Sequence, residues 1–219
     1  MPFERADVIT EFLETAANAI DILTVEDLAE LGSNLHAIAN AFRKRPGLVT
    51  DETLEGLSHL AMKGESQDCM HHIPTPRDRA CLTVIGVLAD AVLMTRDIDG
   101  GRRALGHLDA LISDCQDWNI RSEAATYCAH VLGGYTGGTA DPLIIALLEK
   151  QGRENSDHHI RTKARDGLIS LARDRPAIIR HAMDAQIFGT EDANPQSRAF
   201  AMLNNRVNAK TVRTKKCRD

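Results

Sequence analysis

The side chains most able to do chemistry lie in one short polar stretch, Cys69-x-His71-His72. Thiolate and imidazole groups are zinc ligands, and a catalytic zinc needs three protein ligands. No second Cys/His pair follows at a matching spacing, and Asp157-His158-His159 is distant in sequence. The pattern favours solvated loop residues. We therefore expect no metal and no other cofactor, with Cys69, His71 and His72 as the candidate ligands if a metal binds.

An arginine recurs at positions 77, 121 and 161. One interpretation is a ladder of cations for acidic ligands or phosphates. The other is structural: each guanidinium pairs with an acid or a carbonyl of the preceding turn and ties neighbouring repeats together. Because the arginine keeps a fixed place within a repeat, we favour the structural interpretation.

Motifs of known enzymes are missing from the sequence. It contains no G-x-S-x-G, P-loop, dinucleotide fingerprint or H-E-x-x-H. The glycine-rich run at 133–138 follows a predicted helix rather than a strand. Trp118, Tyr127 and Tyr135 could stack on a nucleobase, but that chemistry needs an acid in a basic groove, which is not evident. We expect Trp118 to be a packing anchor. Catalysis is therefore not indicated, and an enzyme with a pocket between helices stays an open alternative.

The composition favours a helical core. Apolar residues make up 43% of the 219 residues, but aromatic residues only 4%. Leu, Ile, Val and Ala in that proportion suit close-packed helices better than a β-sandwich. The acidic start of the chain is unlike a signal peptide, and no apolar run is long enough to span a membrane. The five cysteines form no close-spaced framework. We expect a cytoplasmic protein.

Charge is unevenly distributed along the chain. Residues 1–31 carry eight acidic residues and one basic residue, whereas residues 206–219 carry six basic residues and one acidic residue. A basic tail can contact nucleic acid, an acidic partner or an anionic membrane surface. If nucleic acid binds, the contacts are Lys210, Arg213, Lys215, Lys216 and Arg218. We expect residues 206–219 to be a disordered, solubilising tail.

Apolar residues recur at steps of three and four along most of the chain, which predicts helices. Residues 6–22 form one, and a second runs from Thr24, with Asp27 as capping partner, to Pro46-Gly47. We expect these two to form an antiparallel hairpin. A third helix spans about 51–63, and the longest loop covers 64–76. Beyond it, helices alternate with short turns, and no strand pattern is present.

Three of the later helices share one pattern. It reads Arg77-x-x-Ala80-x-x-x-Val84-x-x-Val87-Leu88, and it returns from Arg121 and from Arg161, 44 and 40 residues on. The apolar positions form one helical stripe, and each copy follows another amphipathic helix. This resembles the HEAT repeat, an armadillo-type α-solenoid family, over about residues 77–188. The resemblance implies an all-α superhelix of stacked antiparallel hairpins. The alternative is an irregular helical bundle.

The resemblance also suggests a domain plan and a binding face. One domain would cover 1–205, with less regular helices in 1–63 and HEAT-like hairpins in 77–205. In α-solenoids the polar face of such helices lines a concave binding surface. We expect another protein as the partner, bound by a scaffold or adaptor, with nucleic-acid association as the alternative. The residues predicted on this face are Arg79, Glu123, Thr126, His130, Lys163, Asp166 and Ser170.

Overall fold

The protein is all-α in the part of the chain that the structure describes. A computed structural model describes residues 3–64, 74–94, 98–128 and 141–172. Helices fill most of these segments, and no strand occurs in them. The helices are α1 (Ala6–Ala19), α2 (Val25–Lys44), α3 (Asp51–Ala61), α4 (Pro76–Met94), α5 (Ile98–Asp114), α6 (Trp118–Thr126), α7 (Asp141–Glu154) and α8 (His158–Ala172), with short 3₁₀ turns at Ile20–Ile22 and Pro46–Leu48.

Local sequence signals explain where the helices begin. Thr24 and Asp27 form the predicted capping box at α2, since each side chain accepts the other residue's backbone N–H, at 3.2 and 3.0 Å. A second capping box joins Thr75 to Asp78 at the start of α4. Asp117 caps α6, accepting the N–H groups of two following residues. Such caps satisfy amide groups that have no partner within the helix.

Helices that are two apart along the chain pack together. α1 contacts α3, α3 contacts α5 and α5 contacts α7, while α2 contacts α4, α4 contacts α6 and α6 contacts α8. Sequential helices also pack on each other, α3 with α4, α4 with α5, α5 with α6 and α7 with α8. The first pair differs, because the backbones of α1 and α2 make few close approaches to each other. In the expected α1–α2 hairpin, the two helices therefore approach each other less closely than the helices of the later pairs do.

The repeated stripe is the core of the molecule. Ala124, Cys128, Ala164 and Leu168 are all at most 1% exposed. The residues at the repeat positions of α4 are also buried, with no more than 3% exposure; they are Ala80, Val84, Val87 and Leu88. Together with the apolar faces of the other helices they form one continuous hydrophobic cluster. The prediction that these helices bury their stripes is confirmed at the described positions, while Val131, Leu132 and the side chains of Leu171 and Ala172 lie outside the described residues.

Candidate partner-binding cleft

Five of the seven residues predicted for the binding face have described side chains, and none of the five is buried. Arg79 is exposed, and the other four, Glu123, Thr126, Lys163 and Asp166, are half-buried. They lie on α4, α6 and α8, the helices whose opposite side forms the core stripe. His130, and the side chain of Ser170, lie outside the part that the structure describes.

One polar link crosses this face. The ammonium group of Lys163 donates to the hydroxyl oxygen of Thr126 at 2.8 Å, which joins α8 to α6. The Thr126 hydroxyl in turn donates to the carbonyl of Ser122 at 2.8 Å, one helical turn earlier. Two of the residues predicted for the binding face are thus hydrogen-bonded to each other, so these groups already have partners within the protein.

A cleft of about 560 Å³ opens beside this link, over α2, α4 and α6. Its volume falls within the range of known ligand pockets. Two of the predicted residues line it, one from α4 and one from α6, and α2 closes the other side. The lining residues are His36, Arg43, Arg79, Leu82, Thr83, Gly86, Ala89, Asp90, Glu123 and Tyr127.

One ion pair holds the two walls of the cleft together. The guanidinium of Arg43 on α2 lies 2.6 Å from the carboxylate of Asp90 on α4. It also donates to the side-chain oxygen of Asn40 at 3.2 Å. The ion pair connects α2 and α4, which pack more extensively than any other two of the described helices. Arg43 and Asp90 therefore belong to the frame of the cleft, and their charges largely cancel.

Four other polar side chains line the cleft without a polar partner in the described part of the chain. Within the described part of the chain, the side chains of His36, Arg79, Glu123 and Tyr127 form no hydrogen bond or ion pair. They offer an imidazole, a cation, an anion and a phenolic hydroxyl, above a floor formed by Leu82, Gly86 and Ala89. Such a set can bind a ligand that carries both donors and acceptors and one apolar group.

Gly86 makes room for the aromatic ring. A Cβ atom at this position would lie 3.2 Å from the phenolic oxygen of Tyr127, tighter than an ordinary contact. The ring therefore crosses α4 where that helix has no side chain. Burial raises the pKa of Tyr127, and the carboxylates of Glu123 and Asp90 raise it further. The hydroxyl thus keeps its proton near neutral pH and is available as a donor.

The repeated arginines are structural in this fold. Arg77 donates to the carbonyl of Lys63 at 2.6 Å and pairs with Asp21 at 2.6 Å. Arg121 donates to the carbonyl of Cys115 at 3.0 Å, six residues earlier. Arg161 repeats this with the carbonyl of Asn155 at 2.6 Å. Each guanidinium thus satisfies carbonyl groups at the preceding helix end, as the favoured interpretation predicted.

The arginine of the middle repeat, Arg121, also contacts the start of the repeated helix that follows it, α8. Arg121 lies 3.7 Å from the carboxylate of Asp157, which caps α8 through the N–H groups of His159 and Ile160. The indole N–H of Trp118 donates to the same carboxylate at 3.1 Å. Trp118 is thus an anchor, as expected, and part of its anchoring is a polar bond between α6 and α8.

The cysteines with described positions are core residues. Cys81, Cys115 and Cys128 are free and buried. Burial raises the pKa of the Cys81 and Cys128 thiols to about 12, so they stay protonated and unreactive at neutral pH. Among the described residues no group of His, Cys, Asp and Glu side chains could hold a metal ion. Cys69, His71 and His72 lie outside those residues.

Comparisons of the whole chain with protein-family models, with curated proteins and with solved structures find no match. In the described segments, no helix combines the length and apolar character needed to cross a membrane.

Sequence reasoning missed the α2 side of the cleft. His36 and Arg43 precede the first copy of the repeat and lie in a helix that lacks its Arg-x-x-Ala pattern. They line the cleft because α2 packs on α4, a contact between segments that are distant in sequence. Gly86 did carry a signal, since a glycine in the middle of a helix often marks a close approach by another group.

Proposed function

We propose that the protein is an interaction scaffold that binds a segment of another protein in the cleft over α2, α4 and α6. The observation that carries the proposal is the set of unengaged side chains, Arg79, Glu123, His36 and Tyr127, around an apolar floor. A peptide segment presents carboxylates, amides, carbonyls and aliphatic groups together. It can therefore pair with both Arg79 and Glu123 while an apolar side chain rests on Leu82.

The mixture of signs favours protein over nucleic acid as the ligand. A phosphate backbone needs a surface dominated by cations, because neutralisation of phosphates supplies most of the affinity. Here Glu123 stands in the same cleft as Arg79, and Arg43 is already neutralised by Asp90. Nucleic-acid association through the basic tail stays the second candidate, on the charge of residues 206–219 alone.

We also propose that the helices form a HEAT-like α-solenoid. The contacts between helices two apart support this, because stacked hairpins bring equivalent helices side by side in chain order. The recurring bond from arginine to the preceding turn supports it as well. The cleft would then lie on the surface lined by the second helix of each pair. A cytoplasmic location is part of the proposal and fits the three unbridged thiols.

The test is a peptide-library selection on the full-length protein, followed by affinity measurements with the enriched peptides. We expect Arg79→Glu to weaken binding about 10- to 100-fold, since a hydrogen bond to a charged group contributes about 1.5–3 kcal/mol. Gly86→Leu should weaken it similarly by filling the cleft and displacing Tyr127. Far-UV circular dichroism verifies that each variant is folded.

Arg153→Glu is the matched control. Arg153 is an exposed residue of α7, far along the chain from the cleft residues, and its charge reversal is the same as at Arg79. We expect unchanged affinity in this variant. If enriched peptides bind Arg79→Glu and Gly86→Leu as tightly as the unaltered protein, or if no peptide is enriched, the cleft is not the binding site.

A further inference from the structure

A second cleft, of about 210 Å³, lies between α1 and α2. It exists because α1 packs on α3 and α2 packs on α4, which leaves the space between the first two helices unfilled. Its walls are mainly apolar, with Phe12, Ala16, Ala19, Leu23 and Leu31 lining it. The space suits one or two aliphatic side chains of another segment.

Apolar side chains are also exposed beside this cleft. Ile22, next to Leu23 in the turn after α1, and Val25, the first residue of α2, are 84% and 62% exposed. In the described part of the chain, the one other exposed large hydrophobic side chain is that of Met62, at 42%. Grouped exposed apolar residues next to a groove are typical of an interaction site.

The surroundings of this apolar cleft are strongly negative. Residues 6–42, which include all of α1 and most of α2, hold seven acidic residues and no Lys or Arg. Glu11, Glu14, Glu26 and Glu30 are exposed and have no ion pair within the described part of the chain. Glu30 lines the cleft itself. Asp7 and Asp21 are already paired with Arg5 and Arg77, and the remaining carboxylates favour an occupant that combines apolar side chains with positive charge.

We propose that this cleft is the docking site of the chain's own basic C-terminal segment, residues 206–219. That segment carries six basic residues and one acidic residue, and it includes Val207 and Val212. The valines are of the size that the cleft admits, and the lysines and arginines face the carboxylates around it. This site is separate from the cleft over α2, α4 and α6, so the inference does not depend on the proposed function.

Chain length allows the contact. Between Ala172, the last described residue, and Arg206 lie 33 residues, which extend to roughly 110 Å at about 3.3 Å per residue. A 20-residue helix such as α2 is only about 30 Å long. The segment can therefore reach the cleft of its own chain or that of a second copy.

Cys217 supplies the test. In the full-length chain with Cys69→Ser, a cysteine is introduced at the cleft by Glu30→Cys, and mild oxidation is followed by peptide mapping. We expect a disulfide between positions 30 and 217 to form about tenfold faster or more than in the matched variant Glu55→Cys, because docking raises the local thiol concentration. Glu55 is exposed on α3 and does not line the cleft.

Two further conditions examine the charge argument. In one molar salt the Debye length is about 3 Å, so the charges are screened from each other. This salt concentration and the double charge reversal Lys215→Glu with Lys216→Glu should each abolish the faster disulfide formation at position 30. A disulfide within one chain and a disulfide between two chains both support docking, and a non-reducing gel separates them. Equal rates at positions 30 and 55, or a preference for position 30 that survives salt and charge reversal, would overturn the proposal.

Discussion

Asp117 combines a capping role with an unfavourable electrostatic environment. One oxygen accepts the N–H groups of Asn119 and Ile120 at 2.7 and 3.2 Å. The other is buried, and a Cβ at Gly64 would lie 3.1 Å from it. Asp78, also fully buried, is a neighbouring carboxyl group, and it is one of the causes that raise the pKa of Asp117. This contact joins the starts of α4 and α6.

Burial raises the pKa of Asp117, and the neighbouring Asp78 raises it further. Its protonated form is therefore favoured by folding. The stabilisation from this group is complete below the unfolded-state pKa and is lost as the pH rises through the higher folded-state pKa. Above that pH, the ionised carboxylate of Asp117 is buried, which lowers the free energy of unfolding.

Asp117→Asn should remove this pH dependence. The amide oxygen keeps the cap, and the amide N–H₂ donates to Asp78 at every pH. We expect the variant to be more stable than the unaltered protein at pH 8 by about 1 kcal/mol, a typical net hydrogen-bond contribution, and to be equal or less stable at pH 4.5. Urea unfolding across this pH range measures the difference.

Asp114→Asn serves as the control for Asp117→Asn. Asp114 is an exposed acid at the end of α5. Its replacement should leave the pH profile of stability nearly parallel to that of the unaltered protein. Parallel profiles for Asp117→Asn as well would mean that Asp117 is ionised in the fold throughout the range.

At the scale of helices, α6 is held by small residues on its buried side. Ala124 is fully buried at the third position after the repeated arginine, and Ala164 occupies the same place in α8. A larger side chain there has no free volume, because the neighbouring helices already contact the backbone closely. Alanine at this position thus sets the separation between adjacent helices.

Ala124→Leu should therefore destabilise the protein by about 1–3 kcal/mol through overpacking. Ala146→Leu is the matched control, because Ala146 is exposed on α7 and leucine is also a good helix former. We expect a change below about 0.5 kcal/mol there. Thermal or urea unfolding compares the two variants. A tolerated leucine at 124 would contradict close packing of α6 on its neighbours.

Helix positions and their caps were predictable because they depend on residues close in sequence. Thr24 with Asp27, and Pro76 at the start of α4, are local signals that the structure confirms. The pairing of α2 with α4 was not predictable, because it depends on contacts between distant segments and α2 lacks the repeat pattern. For the same reason the sequence indicated Arg79 and Glu123 as face residues but not their shared cleft with His36.

At the scale of the whole molecule, one hydrophobic cluster extends from Phe3 in the first described segment to Leu168 in α8. Polar bonds reinforce the contacts along it. The ammonium group of Lys150 on α7 lies 2.5 Å from Asp109 on α5, and the buried side chain of Gln151 donates to the same carboxylate at 2.6 Å. The cluster therefore connects α1 to α8, the last helix that the structure describes.

A continuous core predicts that the helices unfold together, as expected for one domain. Trp118 is the only tryptophan of the chain and reports on the α6–α8 contact through its bond to Asp157. Its fluorescence should follow the same urea transition as the far-UV circular dichroism of all helices. Two separated midpoints would show that the first helices and the last unfold independently.

Two buried thiols can report on transient opening of the protein. Cys81 and Cys128 are wholly enclosed, and each holds its proton at neutral pH. An alkylating reagent or a peroxide reaches them only after the surrounding helices separate and water enters. The rate of modification of these two sulfur atoms in the native protein therefore measures how often the packed helices separate in the absence of denaturant.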